Sequence, residues 1–125
     1  MFAEKAADIF EPGTHGSTFG GNPICCAGAL SIFERIDDAL LDEVEKKSAY
    51  IIDELSGAEG VKSISGMGLM LGIETEKDAK EVVKACMEKG VLVLTAKTKV
   101  RLLPALNMPF DLLGQAVEVI KEMVK

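Results

Sequence analysis

The chain has 125 residues, of which 48% are hydrophobic, enough for one modest core, and a formal net charge of −6 at pH 7, with a pI of about 4.8. That acidity disfavours a general polyanion-binding surface such as one for nucleic acid, although backbone amides can still hold a small phosphate because they do not register in net charge. No apolar run reaches the ~20 residues of a membrane span and the first residues lack a secretory-signal pattern, so no membrane role and a cytoplasmic location are expected.

Met1 to Phe10 are mildly amphipathic and read as the end of a helix. A loop of Gly13-Thr14-His15-Gly16-Ser17-Thr18-Phe19-Gly20-Gly21 follows. Asn22 is a good N-cap and Pro23 suits the first helical position, so a helix starts there and runs towards Asp37. Its small residues, Cys25, Ala27, Gly28 and Ala29, would allow close packing on another element. Leu41, Val44, Ser48, Ile51, Ile52 and Leu55 then recur at helical spacing up to Gly57, with Asp37-Asp38 marking either a kink or a new cap. The three cysteines, Cys25, Cys26 and Cys86, show no metal-ligand spacing and read as buried small residues in a reducing compartment.

Beyond Gly57 the period changes to two. Val61–Ser65 and Leu69–Glu74 read as strands joined by Gly66-Met67-Gly68, an antiparallel hairpin. Thr75 and Asp78 resemble a capping box, and Ala79, Val82, Val83, Cys86 and Met87 form one helical face ended by Gly90. Val91–Thr95 and Val100–Leu103 read as strands around the polar turn Ala96-Lys97-Thr98-Lys99, and Pro104 stops the second. A last helix starts near Pro109 on the face Phe110, Leu113, Val117, Ile120 and Val124. The order predicts an α+β fold: a small antiparallel or mixed sheet of about four strands covered by helices on one face, preceded by a glycine-rich loop and a long helix.

The loop is the chemically richest segment. Four glycines let backbone N–H groups approach a ligand, Ser17 and Thr18 offer short hydroxyl donors, and the following helix N-terminus adds partial positive charge, an arrangement suited to an anion. It lacks the Gly-Lys-Ser/Thr ending of a P-loop and the spacing of a dinucleotide fingerprint. Gly13-Thr14-His15-Gly16 matches a G-x-x-G loop only at the shortest level, and composition by itself favours an ordinary glycine-rich connector.

The run His15-Gly16-Ser17-Thr18-Phe19-Gly20-Gly21-Asn22-Pro23 closely resembles a motif of the class III aminotransferases, a pyridoxal-phosphate-dependent family. Val100-Arg101-Leu102-Leu103-Pro104 and the run Ser65 to Gly72 are second and third matches. The likeness covers essentially the whole chain as the last third of such an enzyme. It is strongest to the acetylornithine type, and implies residues 1–22 as a remnant of a large domain with the phosphate loop and residues 23–125 as a C-terminal small domain.

In that family the loop threonine crosses the interface of a homodimer and donates to the cofactor phosphate held by the other subunit. The resemblance assigns this role to Thr18, with Ser17 beside it. It assigns Arg101 to the substrate α-carboxylate, a task that suits a planar guanidinium fork because two parallel bonds fix orientation as well as charge. Without the resemblance Arg101 would read as a strand arginine in a surface ion pair, and Ser17 and Thr18 as turn residues. His15, the only histidine, has no catalytic or metal constellation around it and reads as a loop-ordering residue; Asn22 reads as a cap. Phe19 suits a subunit interface or a local core equally.

The resemblance further implies transfer of an amino group from N-acetylornithine or a similar ω-amine to 2-oxoglutarate, with ornithine, succinylornithine or 4-aminobutyrate as alternative donors. The family's cofactor-binding lysine and its acidic partner lie upstream of the matched motif, and none of Lys5, Lys46, Lys47, Lys97 or Lys99 takes that lysine's place. The chain by itself is therefore expected to hold no catalytic residue, to bind no metal, to be inactive and to self-associate through apolar surface along the helix after Pro23. The competing reading is a non-catalytic binding or assembly module that keeps only the fold.

Overall fold

The structure, a computed structural model, describes residue 13 and residues 16–125; the expected helix end at Met1–Phe10 and the loop residues Thr14 and His15 lie outside them. The chain divides into two compact units, residues 1–36 and 37–125. The first unit contains helix α1 (Pro23–Phe33). The second has the order α2 (Asp38–Leu55), β1 (Val61–Met67), β2 (Met70–Thr75), α3 (Ala79–Glu88), β3 (Leu94–Ala96), β4 (Lys99–Leu102) and α4 (Phe110–Val124). None of the described helices is long and apolar enough to cross a membrane.

The four strands form one sheet in the order β1-β2-β4-β3, with every neighbouring pair antiparallel. Alternation decides which side is covered. Leu71, Ile73 and Thr75 of β2 and Val100 and Leu102 of β4 are buried, while Gly72, Glu74, Lys99 and Arg101 between them are partly exposed. The inward residues join Ile51 and Leu55 of α2, Val82 and Cys86 of α3, and Val117, Ile120 and Val124 of α4 in a single core. Each large aliphatic side chain so buried contributes about 1.5–3 kcal/mol. The helices thus cover one face, as predicted, and the other is left for polar residues.

Helix boundaries follow side-chain caps. Asp37 starts a separate helix, its carboxylate accepting from Leu40 N–H at 2.8 Å, which settles the kink-or-cap alternative. Asp78 caps α3 by accepting from Lys80 N–H at 2.9 Å. The expected Thr75–Asp78 capping box does not form: Thr75 is the last residue of β2 and donates instead to Lys77 O at 2.8 Å. Gly90, with φ +84°, ends α3: its N–H reaches Met87 O at 3.0 Å and that of Val91 reaches Cys86 O at 2.9 Å, the paired bonds of a Schellman stop.

That stop also explains why the strand expected from Val91 is shorter. The Val91 N–H is already committed to α3, and pairing begins at Leu94. The first hairpin turns at Gly68-Leu69, so β1 runs on to Met67. The second turns at Lys97-Thr98, where Lys97 is the only described non-glycine residue with positive φ, +57°.

Two tethers were hidden by residue type. Lys47 is 3% exposed because its ammonium donates to Glu43 Oε2 at 3.1 Å and to Leu106 O at 2.9 Å, tying α2 to the segment before α4. Ser48 Oγ donates to Gly68 O at 2.7 Å and holds the first hairpin turn against α2. Conversely Leu41, Ile52 and Met87, expected on buried faces, are exposed, as is the Phe110 end of α4, whose ring meets Tyr50 at a centroid distance of 5.0 Å.

Lys97→Gly is expected to stabilise the chain by about 1 kcal/mol, because a left-handed conformation costs a side-chain-bearing residue about 1–2 kcal/mol and glycine's extra unfolded-state freedom returns part of it; urea unfolding measures this. A second expectation concerns pH. Lys121 donates to Glu54 Oε2 at 2.8 Å, and that hydrogen bond raises the Lys121 pKa above its ordinary value. A folded pKa above the unfolded one gives stabilisation that is complete below about pH 10.4 and lost as pH rises through the folded value. The gap in urea midpoint between wild type and Glu54→Gln should therefore be constant from pH 7 to 9 and shrink above pH 10.

Candidate functional site

The first unit carries the candidate hydroxyl residues. Gly20 N–H reaches Ser17 O at 3.2 Å and Asn22 N–H reaches Phe19 O at 3.2 Å, so Ser17–Asn22 is a pair of overlapping turns. Asn22 then caps α1: its side-chain oxygen accepts from Ile24 and Cys25 N–H at 3.0 and 3.2 Å, and Pro23 occupies the first helical position. The chain therefore enters α1 straight from Ser17 and Thr18. Both residues are exposed, and neither hydroxyl makes a hydrogen bond among the described residues. Two exposed hydroxyl donors one turn ahead of a helix N-terminus are a donor set that fits a phosphate ester.

α1 has no buried residue. Ile24 is 83% and Phe33 72% exposed, so the apolar surface expected after Pro23 is present. The reading of the cysteines changes here: Cys86 is buried, and burial pushes its thiol pKa up, but Cys25 and Cys26 are exposed. Small apolar residues on a helix signal a capacity for close packing, not that a packed neighbour is present.

A separate candidate, a cation, lies in the second unit. Arg101 sits on the outer face of β4, paired with Gly72 of β2 and Leu94 of β3. Its Nε is buried and has no hydrogen-bond partner. The described ion pairs are Lys47–Glu43 and Lys121–Glu54, so the surface ion pair a strand arginine would ordinarily make is absent among the described residues. An unpaired buried donor costs about 1–3 kcal/mol, and an acceptor arriving at this guanidinium removes that cost. The missing side chain at Gly72 leaves room for the Lys99 stem, whose Cδ would lie 3.3 Å from a Cβ there.

Lys99, which reads in the sequence as part of a polar turn, is a strand residue. It lies on β4, on the same outer face, and donates to Ser65 Oγ at 2.8 Å. No cluster of three metal-ligating side chains occurs among the described residues. A groove of about 500 Å³ runs between the segment after α3 and α4, lined by residues such as Val91, Leu103 and Leu112, and it contains none of Ser17, Thr18 or Arg101.

The solved structures that share this architecture are aminotransferases. Acetylornithine aminotransferase from Elizabethkingia anophelis superposes with a TM-score of 0.74 at 28% identity, over 94% of this chain and 32% of that one. Ornithine aminotransferase from Toxoplasma gondii, crystallised with oxidised glutathione and showing partial occupancy of pyridoxal phosphate at its active site, gives 0.73 at 31% identity, over 94% and 30%. The sequence pattern of the family described as "Aminotransferase class-III" matches residues 1–124, and the chain belongs to that family. Its similar relatives include the acetylornithine aminotransferases of Haemophilus ducreyi, 40% identical over 99% of this chain and 32% of the relative, and of Methanothermobacter thermautotrophicus, 39% identical over 97% and 33%. The chain spans about a third of the length of the curated relatives it matches.

Asn22→Ala is expected to fray the start of α1 at a cost of about 1 kcal/mol, a fivefold change in local opening. Hydrogen exchange at the Ile24 and Cys25 amides should quicken by that factor while the amides of α3 and α4 are unaffected.

Proposed function

We propose that this chain supplies the C-terminal portion of a pyridoxal-phosphate-dependent aminotransferase of the acetylornithine type, with residues 1–22 carrying the phosphate loop and residues 23–125 the small domain. The enzyme would move an amino group from N-acetylornithine or a related ω-amine to 2-oxoglutarate, as a cytoplasmic homodimer. The single observation that carries this reading is the Arg101 guanidinium, with a buried Nε lacking any partner on the face of a family-typical sheet. The names of the relatives and the identity to them, 36–40% among those aligned along nearly the whole chain, support the substrate class.

When bound, pyridoxal phosphate would supply the electron sink for loss of the proton from the carbon that bears the transferred amino group. The rest is binding and orientation by protein groups. Thr18, with Ser17 beside it, donates a hydroxyl to the phosphate of the cofactor in the neighbouring subunit. Bonds of this kind to a charged acceptor are worth about 1.5–3 kcal/mol, enough to fix the phosphate end. Arg101 closes its fork on the substrate α-carboxylate. In 2-oxoglutarate that carboxylate adjoins the reacting carbon, so holding it fixes rotation about the bonds there, and a positioned substrate reacts faster than a merely bound one. No residue of this chain takes the part of the cofactor-binding lysine.

Two experiments test the reading. Within a full-length class III chain, Thr18→Ala should raise the Kd for pyridoxal phosphate about tenfold or more, and Arg101→Lys should lower kcat/KM by a similar factor by replacing a two-point contact with a one-point contact. If cofactor retention and kcat/KM both stay unchanged, the residues have no such roles and a module that keeps only the fold is the better description. The 125-residue chain alone, incubated with pyridoxal phosphate and reduced with borohydride, should show no stoichiometric adduct by intact mass. One adduct on a single lysine would overturn the assignment of the catalytic lysine to another part of the enzyme.

A further inference from the structure

A cleft of about 420 Å³ opens between α2 and the segment that leads into α4, and Arg101 does not line it. Glu43, Lys46 and Lys47 of α2 line it together with Asn107, Pro109 and Phe110. Positions 43, 46 and 47 follow the i, i+3, i+4 spacing of one helix face, so α2 brings a carboxylate and two ammonium groups to the cleft together. Two lysines against one glutamate leave a surplus of one positive charge, in a chain whose net charge is −6.

The two lysines differ in what they already hold. Lys47 is buried and donates to Glu43 Oε2 at 3.1 Å and to Leu106 O at 2.9 Å. Those bonds neutralise it and use two of the three donors of an ammonium group. Lys46 is exposed and carries the surplus charge, because the described ion pairs, Lys47–Glu43 and Lys121–Glu54, leave it out. Asp42, one turn earlier on α2, does not pair with it, and the Asn107 side chain makes no hydrogen bond among the described residues. The remaining wall is apolar and stiff. Pro109 has its φ fixed by its ring, and the Phe110 ring leans on Tyr50 with centroids 5.0 Å apart. Tyr50 in turn packs against the core.

We propose that this cleft is a binding site for a small monocarboxylate with an aromatic or apolar body. The carboxylate takes Lys46 and the third donor of Lys47, and the body lies against Pro109 and Phe110. One surplus charge matches one carboxylate, and Glu43 repels a second. A charged acceptor is held about twice as strongly as a neutral one, so the lysines select for the anion, while the ring wall selects for the apolar body. Neither preference depends on what Arg101 binds.

NMR titration of the 125-residue chain with benzoate, benzamide and inorganic phosphate tests this at constant ionic strength, read at the amides of Lys46, Lys47, Asn107 and Phe110. Benzoate should give saturable shifts and bind at least fivefold more tightly than either of the others. Lys46→Met should reduce benzoate to the benzamide value, and Lys46→Arg should keep the preference. Phe110→Ala should weaken benzoate at least threefold and leave phosphate unchanged. Both positions are exposed, so the core that folds the unit is untouched. Arg101→Met and Lys97→Met, which remove the same charge elsewhere, should leave all three ligands as they were. Absence of a saturable benzoate shift, equal affinity for benzoate and benzamide, or an unchanged benzoate affinity in Lys46→Met would overturn the site. So would phosphate binding as tight as that of benzoate, which would mark a nonspecific anion contact, or an equal loss in Arg101→Met, which would place the benzoate on the sheet instead.

Discussion

The β2–β4 ladder is the constraint on which the second unit depends. Leu71 pairs with Leu102 and Ile73 with Val100, and all four face the helices. A strand has a side-chain period of two, so burying these four aliphatic residues forces Gly72, Glu74, Lys99 and Arg101 onto the opposite face. A slip of β4 by one residue would put two cations into the core, at a cost far beyond the few kcal/mol by which a domain of this size is stable. The hydrophobic effect thus fixes the register, and the register delivers Arg101 to the outer face of the sheet beside a glycine.

The first unit follows a different logic. Among the described residues α1 buries no side chain; the Asn22 cap, the proline at the first helical position and the glycine-bearing turns ahead of it set its start by local hydrogen bonding. Local interactions of this kind specify a conformation without burying surface, which is why the unit can present two hydroxyl side chains and an apolar helix together. The two candidate contacts, hydroxyls and guanidinium, are therefore built by unrelated means: one by backbone geometry around a cap, the other by sheet packing.

Much of the second unit was legible because its signals are periodic. The faces of α2, α3 and α4 and the alternation in β2 and β4 reflect burial on one side, and the predicted sheet of four strands covered on one face was found. The errors fell where a residue had two possible partners. Thr75 has a capping residue's chemistry but ends a strand, Val91 has strand propensity but spends its N–H on the end of α3, and Lys47 reads as solvated yet is buried on a carbonyl 59 residues away. Cys25 and Cys26 have the composition of a packed helix face, which composition alone cannot turn into contact.

The sequence by itself determined the family, the helix starts, the hairpins and the residue types suited to a phosphate and a carboxylate, because these rest on local pattern and on motif. Only the tertiary structure decided that Arg101 keeps a buried nitrogen without a partner, and that Lys99 lies over Gly72 and reaches across to Ser65. Those facts depend on which strands lie next to one another. Adjacency in a sheet of order β1-β2-β4-β3 is set by the shared core beneath it, to which residues distant in sequence contribute together.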